Sequence, residues 1–365
     1  MIDQRNITYS PVYMRIYSAL KQRIEAGEWN FGAMLPSEIE LSEIYHSSRG
    51  SVRQALAQLE DENLVSRQRG RGTFITYSSL RPSTANSNNH SIAFIVPYVR
   101  DSFVSSILLG LERKARLNKY AVFFSHFEND PDKQELALRT ALELNVSGIA
   151  LYPVNSRTTS PTILELIGRK FPLVLIDRYI RGLDIDYVTS DNFSGGLIAT
   201  QHLLRLGHRR IAFVSWKESA TSITHRFAGY QQALQEADIS PQNDLEWVVE
   251  GYPEIDQNSL MNHLKQPNRP TAIFAANDQL AIAIQRAAQA INLLIPKDLA
   301  LVGFDNLDIS ANLDVPLTTI SQPAFEMGQT AWELLSFRFL SETRYPQQRL
   351  LPVQLIVRRS CGAIE

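Results

Sequence analysis

The sequence predicts an α/β chain in two parts, a small N-terminal winged helix-turn-helix and a larger region of two doubly wound lobes built on parallel sheets. Three observations predict it. Residues 35–75 hold two capped amphipathic helices and then a glycine turn between β-prone segments. From Ser91 onward, seven short apolar runs alternate with amphipathic stretches, the pattern of buried parallel strands joined by helical crossovers. Between the two, SSLRPSTANSNN is poor in apolar residues and rich in Ser, Asn and Pro, the composition of a linker. The expected domains are therefore residues 1–76, a linker at 77–90, and residues 91–365.

Composition sets the outer limits. At 365 residues with 44% hydrophobic and 20% charged side chains, the chain can bury more than one core. A formal charge of -2 requires any nucleic-acid contact to be local. The start, MIDQRN, lacks a signal-peptide pattern, and no apolar run approaches the ~18 residues of a membrane span. A cytoplasmic protein without membrane contact is expected. The single cysteine, Cys361, has no partner for a disulfide or a cysteine-rich metal site.

The first helix is expected from Ser10-Pro11, with Tyr13, Ile16, Tyr17, Leu20 and Ile24 on one face and Gly27 as its stop. Ser37 and Glu40 have capping-box spacing, which predicts a helix over about 37–45. Ser48 can cap a further helix whose apolar positions Val52, Leu56 and Leu59 recur at three and four residues. Gly70-Arg71-Gly72 then supplies the turn of a β-hairpin wing.

Charge placement picks out one surface of this head. From Ile44 to Gln58 the only charged residues are Arg49 and Arg53, and from Asn63 to Ile75 they are Arg67, Arg69 and Arg71. Acidic residues occupy the flanking segments, so segregation rather than net charge marks a DNA-binding face. Arginines at the start of the helix capped by Ser48 can reach guanine edges, Ser37, Ser48 and Ser51 can hold phosphate, and the wing arginines can follow the backbone or minor groove.

In the larger region the apolar runs are IAFIV at 92, YAVFFS at 120, GIALYP at 148, LVLID at 173, RIAFVS at 210, TAIFAA at 271 and LALVGFD at 299. They are followed by Tyr98, His126, Tyr152, Asp177-Arg178, Trp216, Asn277-Asp278 and Asp305. Ligands of open α/β sheets sit beyond the carboxyl ends of strands. Carboxylates and guanidinium groups suit paired hydroxyls and aromatic rings cover the C–H face of a sugar. Asp278 and Arg226 are the first candidates, with Asp177, Gln322, Trp216 and Phe103 behind them.

Two resemblances add to this reading. LPSE, then SRxSVRQAL, then QxGxGTF is similar to the head of the GntR family of bacterial regulators over roughly residues 10–76. That resemblance implies DNA contacts by Ser37, Glu38, Ser48, Arg49, Ser51, Arg53, Arg69, Gly70 and Gly72. Gly50 and Ser51 depart from the usual larger residue and Thr. The stretches VLIDRYIRGLDIDYVTSDNFSGGLIATQHLLRLGHRRIAFVS, HRFAGYQQAL, AIFAANDQLAIA, LVGFDNLD and PLTTISQPAFEMGQTAWELL resemble the LacI family's sugar-binding effector domain, with the fold of periplasmic sugar-binding proteins. The resemblance carries ligand contacts to Asp177, Arg226, Asp278 and Gln322. A GntR head on a LacI-type domain is the arrangement of AraR-type arabinose repressors, which implies a pentose such as L-arabinose as effector.

The expected function is a homodimeric, non-enzymatic repressor that binds an inverted-repeat operator and is released by a small sugar. No cofactor or metal is expected. The alternative is a regulator–enzyme fusion acting on a sugar or amino acid, which would need a Schiff-base lysine in a phosphate cup. Lys217 follows a strand without that setting, and no P-loop, nucleophile elbow or HExxH is present. A transport-type binding protein is disfavoured by the head and the start of the chain.

Overall fold

Three helices and a hairpin make the N-terminal unit. Helix α1 (Val12–Glu25) buries Ile16, Tyr17, Leu20 and Ile24, α2 (Glu38–Ile44) buries Leu41, and α3 (Arg49–Asp61) buries Val52, Ala55, Leu56 and Leu59. They share one core with Leu35, Leu64, Val65 and Ile75, each large side chain contributing about 1.5–3 kcal/mol by leaving water. Strands β1 (Val65–Gln68) and β2 (Gly72–Ile75) pair antiparallel, with Val65 opposite Ile75. This is the expected winged helix-turn-helix.

A computed structural model describes residues 11–25, 28–29, 32–62, 64–68, 71–75, 90–154, 159–217, 220–240, 242–250, 255–340 and 345–363. Contacts divide the chain into two units, Met1–Ser87 and Asn88–Glu365. The linker expected at 77–90, apart from His90, and the helix stop expected at Gly27 lie outside the described residues.

The second unit carries two six-stranded sheets. In chain order its first elements are β3 (Ser91–Val96), α4 (Ser102–Leu117), β4 (Ala121–His126), α5 (Pro131–Glu143), β5 (Ile149–Leu151), α6 (Pro161–Gly168), β6 (Leu173–Ile176) and β7 (Asp186–Ser190). There follow α7 (Asn192–Arg205), β8 (Ile211–Trp216), α8 (Thr221–Glu236), β9 (Glu246–Val249), α9 (Gln257–Leu264), β10 (Ala272–Ala275), α10 (Asp278–Ala290), β11 (Ala300–Asp305) and β12 (Thr318–Ser321). Helix α11 (Ala324–Leu340), β13 (Gln348–Leu351) and β14 (Gln354–Ile356) complete it. Asp101, Asp130, Ser160, Asp191, Asp256 and Asn277 each cap a helix by accepting from a backbone N–H in its first turn.

The two sheets have the same strand order, β4-β3-β5-β6-β7-β13 in lobe 1 and β9-β8-β10-β11-β12-β14 in lobe 2. All pairings are parallel except β12 with β14. Each lobe's fifth strand leads into a helix that packs on the other lobe. Helix α7 leaves β7 of lobe 1 and packs on α8, and α11 leaves β12 of lobe 2 and packs on α4. Both contacts need glycine, because a Cβ at Gly229 would lie 2.1 Å from Phe193 O and one at Gly328 would lie 2.0 Å from Ile107 O. The seven expected strands are all present. Strands β7, β9, β12, β13 and β14 were not expected; they are short and carry several polar residues.

Candidate functional site

In the head, the residues expected at DNA divide by what holds them. Ser37 Oγ accepts from Glu40 N–H at 3.3 Å and Glu40 Oε2 accepts from Ser37 N–H at 2.7 Å, completing the capping box. Ser48 Oγ accepts from Ser51 N–H at 3.2 Å and lies 3.0 Å from Ser51 Oγ. Glu38 receives Arg53 Nη2 at 3.0 Å and also the Arg67 guanidinium. These hydrogen bonds, that from Arg53 first, hold the Glu38 carboxyl below its ordinary range. Arg49 is exposed. Gly72 has φ +127°, and a Cβ there would lie 2.9 Å from Met34 Sδ, so the wing turn requires glycine. Arg69 and Gly70 lie outside the described residues.

In the second unit, a cavity of about 350 Å³ lies between the lobes. Carboxyl-end residues line it from both sheets: Tyr98, Tyr152 and Asp177 from lobe 1, and Trp216, Asn277, Asp305 and Gln322 from lobe 2. The starts of α4 and α8 add Asp101, Phe103, Ser222 and Arg226. Of the expected ligand residues, the structure thus brings together Phe103, Asp177, Trp216, Arg226 and Gln322.

Charge is fixed in this cavity by internal partners. Arg226, 4% exposed, donates from Nε to Asn192 Oδ1 at 2.8 Å and from Nη1 to Ala276 O at 2.6 Å. Its guanidinium carbon sits 3.6 Å from the centroid of the Phe304 ring, a cation–π contact. Nη1 also lies 3.6 Å from Asp305 Oδ1, which accepts from Gln322 Nε2 at 2.7 Å. Burial pushes the Asp305 carboxyl well above the carboxylate range, Arg226 opposing and Asp278, Asp101 and Asp177 reinforcing. Burial also raises Asp101, although it caps α4 and accepts from Gln279 Nε2 at 2.9 Å across the lobes.

On lobe 1, Arg178 donates to Val154 O at 2.7 Å and to Tyr152 Oη at 3.0 Å. Its buried Nε lies 3.6 Å from Asp177 Oδ2 as an ion pair, and the buried Oε1 of Gln322 has no hydrogen-bond partner. Asp177 and Asp305 hold left-handed φ of +66° and +119°, strained backbone of the kind that collects at ligand sites. Lys217 lines the mouth, but its ammonium pairs with Glu250 Oε1 at 2.7 Å and its side chain is 68% exposed. It therefore lacks the desolvation that turns a lysine into a nucleophile.

The structure corrects one expected contact. Asp278 does not line the cavity, since it is 0% exposed and its carboxylate accepts from Leu307 N–H at 2.9 Å, Ser310 Oγ at 2.6 Å and Thr319 Oγ1 at 2.6 Å. Burial raises its pKa to about 6. Its neighbour Asn277 lines the cavity instead, as does Asp305. The sequence held a signal for this in the Gly of LVGFD, since a glycine inside a buried strand marks a close neighbour. A Cβ at Gly303 would lie 2.2 Å from Asp278 Oδ1. Arg178, Asp101 and Ser222 are further lining residues absent from the expected set. His126, expected at a strand end, is not among the lining residues.

Among the described residues no cluster of three or more His, Cys, Asp or Glu could hold a metal ion, and no helix is long and apolar enough to cross a membrane.

Comparison with known proteins bears on both units. Residues 12–75 match the model of bacterial regulatory proteins of the gntR family, and residues 200–361 match that of the periplasmic binding protein-like domain. The chain is 30% identical over 331 residues to an arabinose metabolism transcriptional repressor of Halalkalibacterium halodurans, covering 87% of this chain and 88% of that one. It is 29% identical over 333 residues to the protein of the same description from Geobacillus stearothermophilus, covering 89% and 90%. A LacI-family regulator from Enterococcus faecium, solved with bound ribose, matches at 26% identity and a TM-score of 0.64, over 75% of this chain and all of that one.

Proposed function

Because the chain belongs to the family of transcriptional repressors that join a GntR-type head to a periplasmic-binding-protein-like domain, we propose that it represses sugar-utilisation genes and is released from its operator by a small neutral sugar. The effector occupies the cavity between the lobes, and a pentose, L-arabinose first, fits the reading. One observation supports it most directly. The cavity brings together the carboxylates of Asp101, Asp177 and Asp305 with the guanidinium-bearing side chains of Arg178 and Arg226. Sugar hydroxyls suit acceptors and donors of both kinds, because a hydroxyl donates and accepts. Trp216 and Phe103 provide apolar faces for the C–H side of a ring.

The same reading makes the active species a homodimer acting in the cytoplasm on an inverted-repeat operator, with two heads on successive half-sites. Strand β4 supports self-association: it is the edge of lobe 1's sheet and exposes Phe123 by 44% and Phe124 by 37%. Such edges are usually covered.

A thermal-shift screen of pentoses, hexoses and their phosphates tests the effector. A ligand at a hundred times its dissociation constant adds about 2.7 kcal/mol of stability, or roughly 5–10 °C for a domain of this size. The same sugar must also lower affinity for operator DNA. If no sugar shifts the melting temperature, or if the sugar that shifts it leaves DNA affinity unchanged, the proposal fails.

A further inference from the structure

Three charged side chains from three elements of the head meet on the face that carries the recognition helix. Glu38 in α2 faces Arg53 in α3 and Arg67 in β1. The pairing with Arg53 uses one edge of the guanidinium: Nε lies 3.4 Å from Glu38 Oε1 and 3.3 Å from Oε2, and Nη2 lies 3.0 Å from Oε2. The Arg53 side chain is nevertheless 65% exposed, while that of Glu38 is 24% exposed. The carboxylate is therefore the inner group and the arginine projects past it. Arg67 takes the other oxygen, Oε1, and its backbone N–H is tied to Glu60 Oε1 at 2.9 Å.

A guanidinium gripped along its Nε/Nη2 edge keeps its Nη1/Nη2 end for a second planar partner. That end carries two parallel N–H donors, which match the O6 and N7 acceptors of guanine in the major groove. Gripping the stem also removes rotamer freedom that a free arginine would lose on binding. Arg49, one turn earlier on α3, is exposed and is not part of this cluster.

We propose that Glu38 is a positioning residue rather than a DNA contact: it aims Arg53 at one guanine of each half-site and ties the wing strand to the recognition helix, leaving Arg49 to bind phosphate. The inference rests on the head's role in binding DNA. It has an unusual signature, because Glu38 also places a negative charge near the DNA backbone. Removing that charge weakens discrimination while it strengthens sequence-independent binding. A residue needed only for folding would weaken both.

The test uses the full-length protein and a pool of randomised DNA duplexes, from which the wild type selects a preferred site. Wild type, Glu38→Gln, Arg53→Ala and Arg49→Ala are then measured on the selected duplex, on single-base variants of it and on a scrambled duplex. Arg53→Ala should erase the preference at one guanine per half-site, about 5- to 100-fold. Glu38→Gln should weaken the preference at that same guanine, hold or raise affinity for scrambled DNA, and melt within a few degrees of wild type, as expected for an exposed pair. Arg49→Ala should weaken selected and scrambled duplexes by the same factor and leave the base pattern intact. The proposal is overturned if Glu38→Gln keeps the wild-type pattern, or if it loses preference at a base pair other than the one lost by Arg53→Ala, the mark of direct readout by Glu38. A wild-type protein that selects no sequence would remove the DNA-binding reading itself, a separate and visible result.

Discussion

Replacing Asp278 and Asp305 in turn separates a residue that supports the cavity wall from one that lines it. In Asp278→Ala three donors lose their acceptor, namely the N–H of Leu307 and the hydroxyls of Ser310 and Thr319. The hydroxyls can turn to other acceptors at a loss of about 0.5–1.5 kcal/mol each. The backbone N–H cannot turn, and leaving it buried without a partner costs about 1–3 kcal/mol. Relief from burying a carboxylate offsets part of this, since burial raises the Asp278 pKa to about 6. A net loss of about 2–4 kcal/mol follows, roughly 5–15 °C in melting temperature for a domain of this size. Asp305→Asn, by contrast, keeps an oxygen for Gln322 and its shape. It should melt within a few degrees of wild type and lose at least tenfold in effector affinity. Thermal melts of both variants with and without sugar, together with calorimetric titration below the lower melting point, make the comparison. An Asp278→Ala protein that melts like wild type but no longer binds sugar would refute this account.

Gly50 lies in the first turn of α3, and a Cβ there would meet only Ser48 Oγ at 3.7 Å. Gly50→Ala should therefore stabilise the head by about 0.5–1 kcal/mol, read as a rise in its unfolding transition; a fall would show that α3 needs the glycine for another reason. His225 accepts or donates to Tyr179 Oη at 3.3 Å across the lobes, and burial, then Arg181, lowers its pKa while Asp191 opposes. The unfolded chain therefore takes up a proton near pH 6.5 before the folded one does. The stability this group contributes is present above that pH and is lost as pH falls through the lowered folded value. Between pH 7.5 and 5.5 wild type should lose more melting temperature than His225→Gln, and equal losses would exclude the effect. Affinity for the selected DNA site should also fall steeply between 50 and 200 mM salt through counterion release. A flat response in a binding titration would contradict phosphate contacts by the head.

The head was legible because its determinants are local. Ser37 and Glu40 are three residues apart, as are Ser48 and Ser51, and the helices they cap have the expected apolar faces. What Glu38 does was not legible, since its partners are 15 and 29 residues away. In the second unit, seven strands announced themselves as apolar runs. Strand β7 did not, because its first residue is Asp186, buried at 3% exposure and held by Arg338 from 152 residues away. The cavity showed the same division. That Arg226, Asp177 and Gln322 line it was expected from strand ends and the family resemblance. Which member of Asn277-Asp278 lines the cavity depends on how the strand-to-helix turn sets the side chains, and there the tight fit of Asp278 against Gly303 decides.

The exchange of helices between lobes also bears on how the chain is made. Lobe 1 buries Val104, Ile107 and Leu111 of α4 against Met327, Ala331, Trp332 and Leu335 of α11, and its sheet is closed by β13 on β7. A ribosome that has finished Ser190 has all of lobe 1 except those two pieces, and synthesis through Leu351 takes roughly 8–32 s more. For that interval the apolar face of α4 and the open edge of β7 have no native cover, while lobe 2 is being made. Lobe 1, ahead of lobe 2 in the chain, becomes a finished fold only once nearly all of lobe 2 has been made, so the nascent protein is most exposed to aggregation and most dependent on chaperones during the second half of its synthesis.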